Sequence, residues 1–337
     1  MNLIFFMEKL HRGQYIRREG GAYMDFSGFQ IAFQAVAPVF VLIGIGLVIR
    51  ARHLLTDEEL KRVNGMVFQI FFFIMLFYST YTTNIRQTFQ PRLIAFALCS
   101  LAVIYIVPFL LVPRFEPSDK RRGAMIQAIY RSNFVLLGIP LIANLFGEEN
   151  IAVTTMMVAV VVPIYNVLGV MTLEIFRGGK VAPLTLMRNV FKNPMIQGAI
   201  VGALFLIIGI PVPEIVMKPL RQVTAATSPI ALIILGASFH LGSTATHMKQ
   251  LVTCVVSRLI IIPGVVLSSA ALLGFRGVEF ATLIGIFASP CAVAGFAMAQ
   301  QMDSDAELAG NCVVFTTALS CLTLFGWIVL FHTLDVL

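Results

Sequence analysis

The chain has 337 residues, of which 58% are hydrophobic and only 12% are charged, and its formal net charge is +7. This composition excludes a soluble globular protein, because soluble domains carry about 25% charged residues. The positive charge does not indicate nucleic-acid binding, since most of the basic residues lie in the connections between apolar runs.

The first 25 residues form an N-terminal tail that differs in composition from the rest of the chain and contains Lys9, Arg12, Arg17 and Arg18. Its apolar start is too short for a signal peptide. Our hypothesis is that the tail is a start-site artefact and that translation of the native gene begins at Met24.

Ten apolar runs follow, each near the length of about 20 residues that crosses a bilayer as an α-helix. We number them spans one to ten. They begin near Phe29, Val63, Leu93, Ala124, Ala152, Pro194, Gln222, Leu251, Phe280 and Leu308. The sequence therefore predicts an all-α polytopic membrane protein with a first repeat over 26–175, a cytoplasmic linker over 176–193 and a second repeat over 194–337.

The two halves match, because corresponding spans lie at a nearly constant offset along the chain. Five spans per half is an odd number, so the second half enters the membrane in the opposite orientation and the repeat is inverted. Basic residues cluster in the connections after spans one, three, five and seven. The positive-inside rule places these connections in the cytoplasm and both termini outside.

Span four carries polar and helix-breaking residues at mid-membrane depth. Asn133 offers hydrogen-bond donors and acceptors, Gly138 loosens the helix, and Pro140 removes a backbone donor. Irregular backbone is tolerated at this depth only where it is buried in protein or lines an aqueous cavity, so a break predicts a binding site. A simple proline kink is the alternative.

Two arginines lie within predicted spans. Arg131 in span four is a candidate countercharge for an anion, because an arginine at the bilayer centre costs about 2.5 to 3.5 kcal/mol even on insertion scales. The alternative is that its side chain extends to the cytoplasmic interface. For Arg258 in span eight, pairing with a helix-end carbonyl competes with a functional role.

Span nine repeats the pattern of span four, with Pro290 and Gly295 in a run of small residues. If both spans unwind, they cross near the bilayer midplane and expose the N-termini of their half-helices. Free N–H groups and the positive end of the helix dipole at these termini favour an anionic ligand.

Enzyme and metal signatures are missing from the sequence. The histidines lack ligand spacing, and there is no phosphate loop, dinucleotide fingerprint or Gly-x-Ser-x-Gly motif. We therefore expect no catalytic residues, no cofactor and no metal site. No Asp or Glu lies at the centre of a predicted span, so the sequence leaves the coupling ion open.

Several stretches together resemble the bacterial branch of the auxin efflux carrier family, over roughly residues 26 to 331. They are 133–140 with Phe146-Gly147, Asn193-Pro194, 228–238, 290–300 and Thr316-Thr317 with Ser320. The resemblance implies the sodium/proton-antiporter-like fold, in which broken helices four and nine cross at the substrate site. It also implies an elevator mechanism, with spans one, two, six and seven forming a scaffold that makes a homodimer.

The family carries small organic anions, auxin in plants and dicarboxylates such as malonate or malate suggested for bacterial relatives. Ser132 replaces a proline and Cys291 a polar residue of the plant carriers, and the long cytoplasmic loop is missing, which points away from auxin. We predict that substrate binds Arg131, Ser132, Asn133, Ser289, Pro290 and Cys291, in a bacterial cytoplasmic (inner) membrane. The alternatives are a sodium-coupled symporter of the bile-acid-symporter type, a channel or receptor that does not transport, and an intramembrane enzyme.

Overall fold

The computed structural model describes residues 26–82, 89–177, 183–239 and 247–337. The N-terminal tail, including Met24, lies outside the described residues. Within these ranges the chain forms thirteen helices and no β-sheet. They are α1 (Phe26–Ala51), α2 (Asp57–Tyr81), α3 (Pro91–Phe115), α4 (Asp119–Tyr130), α5 (Phe134–Phe146), α6 (Ile151–Ile175), α7 (Pro183–Lys192), α8 (Pro194–Ile208), α9 (Glu214–Ser238), α10 (Met248–Leu272), α11 (Gly277–Phe287), α12 (Val293–Gln301) and α13 (Ala306–Thr333).

Six helices of the described ranges are long and apolar enough to cross a membrane by length and composition: α2, α3, α6, α9, α10 and α13. The bent pair α7–α8 makes a seventh candidate. The predicted all-α membrane protein is thus confirmed. Spans four and nine correspond to the helix pairs α4–α5 and α11–α12, whose members are too short to cross a bilayer alone. The ten-span inverted repeat stays a prediction.

Glycines bring α1, α2, α8 and α9 into close contact. A Cβ at Gly236 of α9 would lie 2.1 Å from the carbonyl oxygen of Ile43 in α1. A Cβ at Gly198 of α8 would lie 2.3 Å from the carbonyl oxygen of Phe73 in α2. Small residues at such crossings let helix backbones approach closely, which is a common way to join helices in membranes. The two pairs also contact each other, because α9 packs against α2, and the four helices thus form one group.

The remaining long helices surround the two broken pairs. Gly138 in α5 lies against Gly285 in α11, where an added Cβ on Gly285 would be only 3.0 Å from the Gly138 Cα. One helix of this group, α10, contains a π-helical turn over Ser257–Ile261. Such single π-turns occur frequently at functional sites, and this one carries the buried Arg258.

Candidate functional site

The two interrupted spans cross at their interruptions. Residues 131–133 and 288–292 connect the half-helices, and an isolated antiparallel bridge pairs Ser132 with Cys291. The amide of Asn133 donates to the Pro290 oxygen at 2.8 Å, and the amide of Ala292 donates to the Arg131 oxygen at 3.3 Å. Backbone that has left a helix is thus satisfied by backbone from the other half of the chain, as burial in a membrane requires.

The interruption of span four is not at the predicted position. Gly138 and Pro140 both lie inside α5, and the break falls before them at 131–133. Gly138 instead makes room for a ring, because a Cβ there would lie 2.4 Å from the Phe134 side chain. In span nine Pro290 does lie in the break, whereas Gly295 lies inside α12.

Arg258 holds the C-terminal ends of α4 and α11 together. Its guanidinium is fully buried and donates to five backbone oxygens, those of Ile129, Tyr130, Ile286, Phe287 and Ser289, at 2.8 to 3.3 Å. The last carbonyls of a helix lack partners within it and carry the negative end of the helix dipole. Of the two interpretations of Arg258, the structure therefore supports pairing with helix-end carbonyls.

Arg131 is buried among α4, α6 and α12, with a relative exposure of 5%. Its guanidinium donates to the Gln127 Oε1 at 3.4 Å, to the Met298 Sδ at 2.7 Å and to the Asn166 Oδ1. All three acceptors are neutral, and no Asp or Glu of the described part of the chain forms an ion pair with Arg131. The side chain is buried and does not extend to a surface of the protein, and no acid of the described residues neutralises its charge.

Three buried amide groups, two in contact with Arg131 and one at the crossing, have unused donors. Gln127 and Asn166 accept hydrogen bonds from Arg131 with their oxygens, which fixes the orientation of both amides and directs their amino groups elsewhere. The buried Gln127 Nε2, Asn166 Nδ2 and Asn133 Nδ2 have no hydrogen-bond partner. A buried donor without an acceptor costs about 1 to 3 kcal/mol, so this site is suited to a ligand rich in acceptors.

The N-terminal ends of α5 and α12, the second helix of each broken pair, have no side-chain caps. Asn133 precedes α5 and Ala292 precedes α12, and neither helix has a side-chain cap. Free N–H groups and the positive dipole end thus face the crossing. Arg258 binds the negative helix ends, and no Asp or Glu of the described residues caps the positive ends of α5 and α12. This arrangement favours an anion at the crossing.

The polar side chains of the other predicted site residues already form hydrogen bonds within the protein. Ser132 pairs with the Tyr165 hydroxyl at 3.2 Å, the Ser289 hydroxyl donates to the Gly285 oxygen at 2.5 Å, and the Cys291 thiol donates to the Ala128 oxygen at 3.0 Å. All three are buried at the crossing. The structure places them there without leaving their side chains free.

Sequence analysis missed Gln127 and Asn166, which orient Arg131. A signal for both was present, because each is an amide inside an apolar helix and Gln127 lies one turn before Arg131 on the same face. Asn311 was missed as well. It is buried on α13 with an unpaired Nδ2, and it lines a cavity of about 230 Å³ with Leu235 and Gln300.

This cavity lies between α9 of the glycine-packed unit and α12–α13 of the other group. It begins one turn beyond the start of α12, at Phe296, and reaches Asp57 and Glu307 near the ends of their helices. The charged residues at this end belong to connections predicted to be cytoplasmic. The cavity therefore lies at the end of the bundle that the sequence predicts to be cytoplasmic.

The sequence is similar to that of a known protein family and to those of individual relatives. The profile of a family described as membrane transport protein matches residues 31–328. An "Uncharacterized transporter" of Methanocaldococcus jannaschii is 23% identical over 312 residues, which cover 89% of this chain and 99% of the relative. A second "Uncharacterized transporter", of Methanothermobacter thermautotrophicus, is 23% identical over 301 residues, which cover 89% of this chain and 98% of the relative.

Proposed function

Because the chain belongs to the membrane transport protein family, that of the auxin efflux carriers, we propose that it is a secondary transporter of a small organic anion. The substrate is a mono- or dicarboxylate, and it crosses the cytoplasmic (inner) membrane of a bacterium by elevator-type alternating access. The observation that carries this proposal is the buried Arg131, whose acceptors are all neutral.

The chemistry of the crossing favours an anion over a neutral or cationic substrate. A carboxylate has acceptors only, and it would pair with Arg131 and with the unused amino groups of Gln127, Asn133 and Asn166. Charge-assisted hydrogen bonds contribute about 1.5 to 3 kcal/mol each. A cation would meet the positive ends of α5 and α12 instead, and it would be repelled.

The packing supports an elevator. Glycines allow close contacts within the group α1, α2, α8 and α9, and in the proposed mechanism these helices form the scaffold. The crossing belongs to the other group, which would move as a unit together with Arg258 and the ends it binds. The ten-span inverted repeat and a homodimer through the scaffold complete the proposal. The inverted repeat follows from the matching halves of the sequence as well as from the resemblance to the family, and the homodimer follows from the resemblance alone.

Ligand-induced stabilisation of the purified protein tests the substrate class. We would screen mono- and dicarboxylates, aromatic acids and amino acids, with and without sodium, since selective binding raises stability by RT ln(1 + [L]/Kd). At least one carboxylate should stabilise the protein, and Arg131→Gln should weaken that effect about tenfold or more, which corresponds to about 1.4 kcal/mol. The control Arg62→Gln changes an exposed arginine that is paired with Glu58, and it should respond like the wild type.

Two outcomes contradict the proposal. Stabilisation by neutral or cationic compounds only would exclude an anion site at the crossing. A full carboxylate response in well-folded Arg131→Gln protein would exclude Arg131 as the countercharge. Counterflow in proteoliposomes then separates a carrier from a receptor, which binds without exchange, and from a channel, which conducts far above carrier turnover rates.

A further inference from the structure

The short helix α7 joins the two halves of the chain. It meets α8 at an angle of 71°, and Asn193 lies at the junction, where its side chain accepts from the Met195 amide at 3.0 Å. Pro194 then occupies the first turn of α8, a position where its missing N–H costs nothing. Because α8 is an apolar helix, a bend of 71° would bring α7 closer to the membrane plane than to the membrane normal if α8 crosses the bilayer.

One face of α7 packs on the protein. Val190 packs against the hydrophobic core, and the Asn189 amide donates to the Glu174 Oε2 at 3.0 Å. Glu174 lies at the end of α6 and is itself 4% exposed. This contact ties α7 to the last turn of the helix that precedes it in the chain.

A different face of α7 carries large apolar side chains that the described part of the chain leaves mostly exposed. Leu184, Met187 and Phe191 have relative exposures of 80%, 57% and 56%. Their spacing of three and four positions places them on one side of the helix. Three such side chains on an exposed helix of a membrane protein require an apolar environment, which the adjacent acyl chains supply.

Next to this apolar face runs a basic stripe. Arg188 and Lys192 are both exposed, are one turn apart, and form no ion pair with an acid of the described ranges. An apolar face bordered by cations matches the boundary between acyl chains and anionic headgroups. The positive-inside pattern places this connection in the cytoplasm, where the leaflet carries a negative surface potential.

We propose that α7 is an interfacial helix that binds anionic phospholipids of the cytoplasmic leaflet. Its apolar side chains enter the acyl region, and Arg188 and Lys192 bind the phosphate groups. A second copy of the chain is a poorer occupant of this face, because the same two cations would face each other across a symmetric contact. Because α7 contacts Glu174, the bound helix fixes how deeply the end of α6 and the start of α8 lie in the bilayer.

Tryptophan reporters in the full-length protein test the position of α7. The chain has one tryptophan, Trp327, whose signal in the wild type can be subtracted. Met187→Trp places a reporter on the apolar face, and Thr185→Trp places a matched one on the exposed polar side of the same helix. In vesicles, lipid brominated near the headgroup should quench the reporter of Met187→Trp, whereas aqueous iodide should quench that of Thr185→Trp. Leu184→Trp repeats the first measurement if Met187→Trp does not fold.

Lipid selectivity tests the basic stripe. Brominated phosphatidylglycerol should quench the reporter of Met187→Trp more strongly than brominated phosphatidylcholine, and Arg188→Gln with Lys192→Gln should remove that difference. Equal quenching of the Met187→Trp reporter by both lipids, with Arg188 and Lys192 intact, would exclude recognition of anionic headgroups. Strong iodide quenching in Met187→Trp would show a helix that stands away from the bilayer. A reporter shielded from both lipid and iodide would show a face covered by protein, such as a second copy, and would also overturn the proposal.

Discussion

The amide of Asn133 donates to the carbonyl of Pro290 at 2.8 Å, and this bond replaces a helical one. In a continuous helix Asn133 would donate to the carbonyl of Ile129, four residues earlier. That carbonyl instead accepts from Arg258. The break in span four is therefore made by two residues that lie in the other half of the chain.

Because Arg258 replaces the missing helical donors, we expect its removal to lower the stability of the fold strongly. Arg258→Met leaves five buried carbonyl oxygens without a donor, and Arg258→Lys offers three donors that cannot form a planar fork. We expect both variants to lose at least about 3 kcal/mol of stability, since a buried acceptor left unpaired costs about 1 to 3 kcal/mol. Thermal unfolding in detergent measures the loss. An unchanged melting temperature in Arg258→Met would show that Arg258 does not hold the ends of α4 and α11 together. Arg62→Lys, at an exposed position, serves as the control.

Gly169 on α6 makes room for the Arg131 guanidinium. A Cβ at this position would lie 2.9 Å from the Arg131 Nη1 and 3.3 Å from the Gln127 Oε1. Gly169→Ala should therefore displace the guanidinium and weaken carboxylate binding several-fold, with a smaller effect on stability. The measurement is the dissociation constant of the best carboxylate from the stabilisation screen.

Gly44→Ala in α1 is the matched control for this substitution. Apart from the local helix backbone, no atom of the described residues lies within 4 Å of a Cβ added at Gly44, and alanine is favoured over glycine inside a helix by about 0.5 to 1 kcal/mol. This variant should bind carboxylates like the wild type. Unchanged affinity in folded Gly169→Ala protein would show that the arginine can bind substrate without its present position.

Gly236→Ala should disrupt the scaffold. Its Cβ would lie 2.1 Å from the Ile43 carbonyl oxygen, and backbone cannot move aside as a flexible side chain can. We expect a loss of about 1 to 3 kcal/mol, the usual cost of overpacking, seen as a lower melting temperature. Gly326→Ala on α13 is the control, because its Cβ meets nothing within 4 Å. Equal stability of the two variants would contradict close packing of α1 on α9.

Acid should weaken the contact between the start of α4 and the turn before α13. Lys120 binds Asp303 at 2.8 Å, and this hydrogen bond holds the pKa of Asp303 below its usual value. A depressed pKa stabilises the folded state above the pKa of the unfolded chain, and the contribution is lost as pH falls through the folded pKa. Both groups are largely exposed, so the effect should stay below about 1 kcal/mol.

The control for this pH dependence is Asp303→Asn. Asp303 has a positive φ of 58°, a conformation that asparagine also tolerates. The difference in melting temperature between wild type and Asp303→Asn should shrink as pH is lowered below the usual aspartate pKa. A constant difference would mean that the ion pair contributes nothing to stability.

Local patterns in the sequence were sufficient to predict part of the candidate site. Pro290 and the polar group around Asn133 indicated two interrupted spans, because missing donors and polar side chains are expensive at membrane depth. The position of the break in span four was not predictable in this way. Pro140 was the stronger local signal, yet it lies inside α5, since the break depends on acceptors and donors from the distant residues Pro290 and Arg258.

The sequence by itself determined that this protein is a bundle of apolar helices in a membrane, because hydrophobicity and length are properties of each segment alone. It also identified Arg131 and Arg258 as two costly cations, but their insertion costs are alike and do not separate their roles. Only the tertiary structure decided between them. Arg258 lies against five backbone carbonyls at helix ends, whereas Arg131 lies among neutral side-chain acceptors and unused donors. The groups around a buried charge decide whether it can also bind a ligand.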